Sequence, residues 1–256
     1  MNTLTNKVNN QDERVFLDAK QCPQEGLIEH LARYIFATRY VNNNNVLDVA
    51  SGTGYGSFIL GGASASSVLG LDGGFVATDW AKRNYARENV EFLQYDAQKI
   101  VALEKKFDLI VSYETIEHLE DYTRFLDGVK QCLALDGTFI VSTPYRLPEN
   151  TLNGKPRNPH HRIEWTFLEF QAVLNSFFPV IQWFTQGLRI KKGPFPFSRT
   201  FRSRAIKRWY SKNGFYPSPR GFEDVAIRPF PVSLESFVEG KYLIAVCGIE
   251  QKGNNG

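Results

Sequence analysis

A short acidic stretch, YETIEHLED, contains the side chains best suited to chemistry. Glu114, Glu117 and His118 stand at positions i, i+3 and i+4, so a helical turn would place them on one face. His160 and His161 follow in NPHHRIEWT, just before a predicted helix. Carboxylates and imidazoles together can hold a divalent cation, and such a cation would lower the pKa of an attacking hydroxyl. Without a metal, His118 would act as a general base or bond the substrate.

A glycine-rich turn, VLDVASGTGYGS, follows the first apolar run. Gly52, Gly54 and Gly56 would let the chain turn sharply and let a ligand approach the backbone closely. A purely structural turn between a strand and a helix is the alternative. The spacing GxGxG differs from the dinucleotide fingerprint GxGxxG, and no GxxxxGK[ST] occurs, so a dinucleotide enzyme and a P-loop NTPase are disfavoured.

Acidic residues end the strand-like runs that surround this turn. Asp72 stands twenty residues after Gly52, where a carboxylate could accept hydrogen bonds from both hydroxyls of a ribose. Asp96 ends the next run, and Asp48 lies in the first. Three acids at successive strand ends predict an adenosine-like ligand in one crevice.

Apolar periodicity predicts the elements that must position these residues. A helix is predicted in EGLIEHLARYIFATRYV, at 75–85, at 122–133 and in WTFLEFQAVLNSFF, where Thr166 and Glu169 would form a capping box. Strands are predicted at 46–50, 67–72, 90–96, 107–112, 137–143, 180–184 and 241–249. The alternation predicts an α/β fold with a doubly wound, mostly parallel sheet.

Five motifs in this order resemble those of the class I S-adenosylmethionine-dependent methyltransferases. They are VLDVASGTGYG, VLGLD, FLQYDA, FDLIVSYETIEHLED and LALDGTFIVSTP, within a resemblance that runs from about residue 13 to residue 178. The resemblance implies a Rossmann-like sheet of seven strands with an antiparallel last strand. It also implies S-adenosylmethionine as cofactor, with methyl transfer to an acceptor as the activity.

The same resemblance implies roles for individual residues. Gly52 and Gly54 would lie against the methionyl part of the cofactor. Arg33 would bind the carboxylate of the cofactor, although a solvated arginine on the helix is the alternative. Asp72 would bind the ribose, and Asp96 with Ala97 would contact the adenine. The remaining expected cofactor residues are Asp48, Ala50, Gly73 and Tyr113. Ala50 departs from the family, which often has glycine there.

Two narrower resemblances differ in their acceptor. ETIEH, STP and HHRIEWT resemble the metal-dependent 2′-O-methyltransferases of small-RNA 3′ ends, which would make Glu114, Glu117, His118 and His161 ligands of magnesium or manganese. A longer stretch, ERVFLDAKQCPQEGLIEHLARYIFA followed by DVASGTGYGS, together with EHLED and NPHHRIEWTFLEF, resembles a bacterial group associated with surface-glycan and other secondary biosynthesis. That group also keeps an acidic EH motif and the later His, so the metal-site residues alone do not imply RNA. The same four residues are the expected catalytic residues with or without a metal. The preferred expectation is methylation of a hydroxyl on a small or sugar-containing acceptor, and a non-catalytic binding module is the third alternative.

Composition predicts the domain boundaries of the chain and its cellular compartment. The 256 residues, 43% hydrophobic and 22% charged, predict one folded domain. The predicted segments are a polar tail (1–23), a methyltransferase core (24–185), a basic insertion or lid (186–237), the last core strand (238–250) and a polar tail (251–256). Three dispersed cysteines and the lack of an apolar span predict a cytoplasmic protein without a transmembrane segment.

Positive charge is concentrated in one part of the chain. Residues 171–222 contain ten Lys or Arg and no Asp or Glu, although the net charge is only +3. In SRTFRSRAIKRWYSKNGFY the cations alternate with aromatic residues, which could track RNA phosphates and stack bases. Peripheral contact with an anionic membrane, an anionic or lipid-linked sugar acceptor, and a solvated lid are the alternatives.

Overall fold

The computed structural model describes residues 24–147, 151–152, 155–187, 189–190, 226–234 and 238–248. Both predicted polar tails and most of the basic insertion therefore lie outside the described residues. Within the described ranges, no helix combines the length and the apolar character needed to cross a membrane.

Helices and strands alternate along the first half of the chain, as predicted. The helices are α1 (Gln24–Ala37), α2 (Tyr55–Gly62), α3 (Phe75–Tyr85), α4 (Tyr122–Cys132) and α5 (Phe167–Asn175). The strands are β1 (Asn45–Val49), β2 (Ser67–Asp72), β3 (Val90–Gln94), β4 (Phe107–Tyr113), β5 (Leu133–Pro144), β6 (Thr151–Leu152), β7 (Lys155–Pro156), β8 (Val180–Gln186), β9 (Arg189–Ile190), β10 (Arg228–Pro229), β11 (Val238–Glu239) and β12 (Tyr242–Gly248).

The main sheet has the strand order β10-β8-β12-β5-β4-β1-β2-β3. Pairing is parallel from β3 to β5, while β12 runs antiparallel between β5 and β8. The mostly parallel sheet and the antiparallel last strand are confirmed. The predicted count of seven strands is wrong, because β10 adds an eighth strand at the edge beside β8.

The predicted insertion therefore contributes to the described fold at several points. Gln186 ends β8, and β10 joins the main sheet. β9 pairs with β11, so the segment predicted as the last core strand divides into the short β11 and the long β12.

Alternating side chains build a core on each face of the sheet. On β4, Leu109 and Val111 pack with residues of α1, α2 and α3, whereas Ile110 packs with residues of α4 and α5. The Thr166–Glu169 capping box begins α5 as predicted. This arrangement brings the carboxyl ends of the parallel strands to one edge, near the point where the strand order reverses between β1 and β4.

Candidate active site

One cavity of about 1190 Å³ lies at the carboxyl ends of the parallel strands. The predicted residues that line it are Ala50, Gly52, Asp72, Gly73, Asp96, Ala97, Tyr113, Glu114, His118 and His161. Glu117, Gly54, Arg33 and Asp48 do not border this cavity. Most of the predicted cofactor residues and most of the predicted reacting residues therefore share one space.

The glycine turn gives this cavity a close backbone wall. Gly52 has a φ of 56°, and a Cβ at this position would meet nothing within 4 Å. Gly54 has a φ of 91°, and its Cβ would lie 2.6 Å from that of Ala81 and 2.8 Å from the ring of Phe92. Gly52 leaves room for a ligand, whereas Gly54 is required by packing and by its left-handed backbone.

Asp72 is held rigidly at the cavity wall by the backbone. Its Oδ2 accepts a hydrogen bond from Gly52 N at 3.1 Å, and its Oδ1 accepts one from Gly74 N at 2.7 Å. Asp96 also lines the cavity, and its Oδ1 accepts from Gln98 N at 2.9 Å. A fixed carboxylate beside an open glycine surface fits the ribose and methionyl parts of S-adenosylmethionine.

Asp48 does not join the other two acids in the crevice. It is fully buried in β1, where its Oδ2 accepts from Ser57 Oγ at 2.6 Å and its Oδ1 accepts from Tyr34 OH at 3.2 Å. Burial raises the pKa of this carboxyl to about 7, with a smaller contribution from the charge of Asp72. Asp48 thus joins α1 and α2 to the strand beneath the cavity.

This raised pKa predicts a pH dependence of stability. Between about pH 4 and pH 7 the folded protein holds the Asp48 proton more tightly than the unfolded chain, so its contribution to stability falls as pH rises. The loss should approach about 4 kcal/mol. Asp48→Asn should remove this part of the slope in urea-unfolding free energies measured across that range, and the exposed Asp127→Asn should keep it. Equal slopes for both variants would contradict the prediction.

Arg33 is fully buried, so the alternative of a solvated helix arginine is wrong. Its Nη1 donates a hydrogen bond to Gln186 Oε1 at 2.6 Å, and its guanidinium carbon lies 4.4 Å from the ring centroid of Tyr242. Its Nε and Nη2 have no hydrogen-bond partner among the described residues. Tyr242 itself lines the cavity, so this buried cation lies behind the cavity wall.

Glu117, His118 and His161 form the acid–imidazole cluster. Each offers one ligand atom, and these three atoms lie within 4.8 Å of one another. The rings of His118 and His161 meet edge to face at 4.9 Å. Among the described residues, Glu114 is outside this group, so the structure brings together three of the four predicted metal ligands.

Glu114 is instead bound to the end of β5. Ser142 Oγ donates to its Oε1 at 2.6 Å, and the backbone N–H of Glu114 donates to Ser142 O at 3.3 Å. Glu114 has a φ of 50°, an uncommon backbone conformation for a residue with a side chain. These bonds hold the turn that separates Glu114 from Glu117.

Hydrogen bonds fix where the proton resides on each ring of the acid–imidazole cluster. His118 Nδ1 lies 2.9 Å from the carbonyl oxygen of His160 and must donate to it, which leaves the lone pair on Nε2. His161 Nδ1 lies 2.6 Å from Glu164 Oε1, and its Nε2 lies 2.9 Å from Asn158 Nδ2. Because Asn158 Oδ1 accepts from the backbone N–H of His160, the Asn158 amide must donate to His161 Nε2.

Two buried carboxyls control the charge in this region. Burial raises the pKa of Glu117 well above its usual range, and the nearby Glu114 raises it further. Burial also raises the pKa of Glu114, against the opposing effect of the Arg33 guanidinium. Both directions favour a protonated carboxyl, whereas a positive charge placed beside Glu117 would favour its ionised form.

Sequence reasoning missed several cavity residues. Glu164 and Asn158 lie three positions on either side of His161, and that spacing was the available signal. Tyr55 also lines the cavity and stands inside the glycine-rich turn, whereas other cavity residues carried no local signal, because distant elements bring them together: His30, Tyr34, Lys241 and Tyr242.

Comparisons with known proteins agree with this geometry. Residues 23–217 match the family described as "Methyltransferase domain". A "Probable S-adenosylmethionine-dependent methyltransferase" of Mycolicibacterium smegmatis is 28% identical over 132 residues, 52% of this chain and 50% of that protein. A ubiquinone biosynthesis O-methyltransferase of Bartonella tribocorum is 23% identical over 174 residues, 67% of this chain and 60% of that protein. The chain spans about half the length of the mycobacterial relatives that it matches.

A solved structure shares the fold. The SAM-dependent methyltransferase from Archaeoglobus fulgidus is 15% identical and superimposes with a TM-score of 0.54, covering 88% of this chain and 94% of that one. The family match extends over well over half of the chain. On this evidence the chain belongs to the class I S-adenosylmethionine-dependent methyltransferases.

Proposed function

We propose that the protein transfers the methyl group of S-adenosylmethionine to a hydroxyl oxygen of a small or sugar-containing acceptor. The observation that carries this proposal is His118 Nε2, a lone pair at the wall of the shared cavity whose ring is fixed by the His160 carbonyl. The cavity of about 1190 Å³ exceeds the usual range of about 300–1,000 Å³ for one small ligand, which supports a cofactor and an acceptor together.

The chain's own residues supply acid–base chemistry and orientation. When bound, S-adenosylmethionine supplies an electrophilic methyl group. His118 Nε2 takes the proton of the acceptor hydroxyl, and the positive charge of the resulting imidazolium, 3.9 Å from Glu117 Oε1, favours the ionised form of that carboxyl. Glu117 Oε1 has no hydrogen-bond partner among the described residues, so it is available for this charge. The Bartonella tribocorum relative, named as an O-methyltransferase, supports oxygen as the acceptor atom.

The cofactor contacts are part of the same proposal. Asp72 would bind the ribose, Asp96 and Ala97 would contact the adenine, and Gly52 with Ala50 and Gly73 would border the rest of the molecule. Arg33 is separated from the cavity by Tyr242, and its Nε and Nη2 have no hydrogen-bond partner among the described residues, so its buried charge supports an electrostatic role toward the cofactor carboxylate rather than a direct contact.

A second candidate function, metal-assisted methylation of an RNA ribose, is favoured by the acid–imidazole cluster. Its three ligand atoms converge, and the Nδ1 atoms of both imidazoles are held by a carbonyl and a carboxylate, the usual second contacts of metal-bound histidines. These residues fit a magnesium or manganese ion, which would lower the pKa of a ribose hydroxyl. Asn158 would have to release His161 Nε2, and Glu117 would have to lose its proton.

A tritiated-methyl transfer assay with fractionated cell extract tests both functions. We expect label in a nuclease-treated small-molecule or glycan fraction, insensitive to chelator, and a loss of about 100-fold or more in His118→Asn because general-base catalysis typically contributes that much. His160→Asn is the matched control, since it keeps the backbone carbonyl that holds His118.

The other outcomes separate the alternatives. Label that requires RNA and a divalent ion, and that disappears in His161→Ala, would establish the second candidate. If the protein binds the cofactor but shows no multiple-turnover methyl transfer to any fraction, both enzymatic functions are excluded and the non-catalytic binding module is supported.

A further inference from the structure

Three tyrosines from three different elements meet at the wall of the cavity. Tyr34 belongs to α1, Tyr55 begins α2, and Tyr113 ends β4. The ring centroids of Tyr34 and Tyr55 lie 5.7 Å apart at 76°, and those of Tyr34 and Tyr113 lie 5.1 Å apart at 87°. All three are nearly buried and all three line the cavity. We call them the tyrosine cluster.

The hydroxyls of two cluster members are bound on the protein side. Tyr34 OH donates to Asp48 Oδ1, which does not border the cavity, and Tyr113 OH donates to the backbone oxygen of Arg33 at 3.1 Å. Burial also raises the pKa of both phenols, which opposes formation of a phenolate. These two residues therefore offer aromatic ring surface to the cavity rather than a nucleophilic oxygen.

Each cluster member stands next in sequence to a residue that is predicted to act on the cofactor or in the reaction. Tyr55 directly follows Gly54 of the glycine turn, and Tyr113 directly precedes Glu114. Tyr34 adjoins Arg33, which is assigned to the methionyl carboxylate. The sulfur of S-adenosylmethionine joins its methionyl and adenosyl parts and carries the transferred methyl group.

From this placement we propose that the tyrosine cluster binds the positively charged sulfonium centre and so distinguishes the methyl donor from its neutral product, S-adenosylhomocysteine. This inference rests on the proposed function. Aromatic rings attract a cation through their electron-rich faces. Aromatic rings also suit the environment of an electrophilic methyl group. A ring attracts the positive charge of the sulfonium, whereas a carboxylate would in addition place a nucleophilic lone pair beside the methyl group.

Calorimetric titration with S-adenosylmethionine and with S-adenosylhomocysteine tests the proposal. The two ligands share adenine, ribose and amino acid, so general damage to the site weakens both, and only a loss specific to the positive charge changes the ratio of their dissociation constants. We expect Tyr55→Leu and Tyr113→Leu each to reduce the preference for S-adenosylmethionine about threefold to thirtyfold, the range of one cation–π contact. Tyr113→Phe should keep the wild-type ratio.

A second measurement needs no variant. The methyl resonance of S-adenosylmethionine labelled with ¹³C in its methyl group should shift upfield on binding to the wild-type protein, because it would lie against ring faces. An unshifted or downfield resonance overturns the proposal, as does an unchanged ratio in folded leucine variants or an equal loss in Tyr113→Phe. If the wild-type chain binds neither ligand, the proposed function fails as well, whereas normal binding of both with unaltered ratios removes only the tyrosine proposal.

Discussion

Gly56→Ala is expected to lower the free energy of unfolding by about 3 kcal/mol, the upper range for adding one carbon to a packed core. A Cβ on Gly56 would overlap the ring of Tyr34. That ring cannot move freely, because it packs against Tyr55 and Tyr113 and its hydroxyl is bound to Asp48. Urea unfolding followed by circular dichroism measures the change.

Gly62→Ala, in the same helix, is the matched control. Its Cβ would meet only Arg87 Nη2, at an ordinary contact distance of 3.5 Å. The better helix propensity of alanine should leave stability unchanged or raise it by up to about 1 kcal/mol. Equal urea midpoints for the two variants would contradict the prediction. They would show that the Tyr34 ring can move away from the new methyl group, so that stability does not depend on the close approach of α1 and α2.

The regular elements around the cavity were predictable because local periodicity determines them. The bounds of α3 at residues 75–85 and of β2 at 67–72 agree with the predicted ones. The positions of Asp72 and Asp96 at the cavity followed, since parallel strands end at a common edge.

Side-chain direction within an element was harder to predict. Asp48 comes before the end of β1, and its carboxyl faces Tyr34 and Ser57 rather than the crevice. Arg33 lies beside the apolar stripe of α1 but is covered by Tyr242 from a strand more than two hundred residues later. In both cases tertiary packing decides burial, and neither periodicity nor charge reveals it.

The eighth strand and the acid–imidazole cluster depend on irregular segments. Arg228 and Pro229 have no strand-forming pattern, and their pairing is possible because an edge position tolerates proline. His161 meets His118 because the loop after β7 returns to the turn at Glu117, where Arg162 N donates to Glu117 O at 2.8 Å. Such returns are set by a few hydrogen bonds between segments that are distant in the chain, and these leave no periodic signal in the sequence.

The second large effect is expected at Asp72. Asp72→Ala should weaken binding of S-adenosylmethionine about 100-fold or more, because the carboxylate lost is the expected partner of the ribose hydroxyls and each hydrogen bond to a charged group contributes about 1.5–3 kcal/mol. The same change frees Gly52 N and Gly74 N, which the carboxylate holds at 3.1 and 2.7 Å. The backbone wall of the cavity would therefore loosen together with the loss of the contact.

Calorimetry with two variants separates these two contributions. Asp72→Asn keeps one carbonyl oxygen for a backbone N–H but removes the negative charge, so it should bind more tightly than Asp72→Ala and more weakly than the wild type. Asp79→Ala, which removes a half-buried carboxylate paired with Arg83 on α3, is the control and should bind as the wild type does. A wild-type affinity in Asp72→Ala would exclude the ribose assignment, since no other carboxylate at the end of β2 lines the cavity among the described residues.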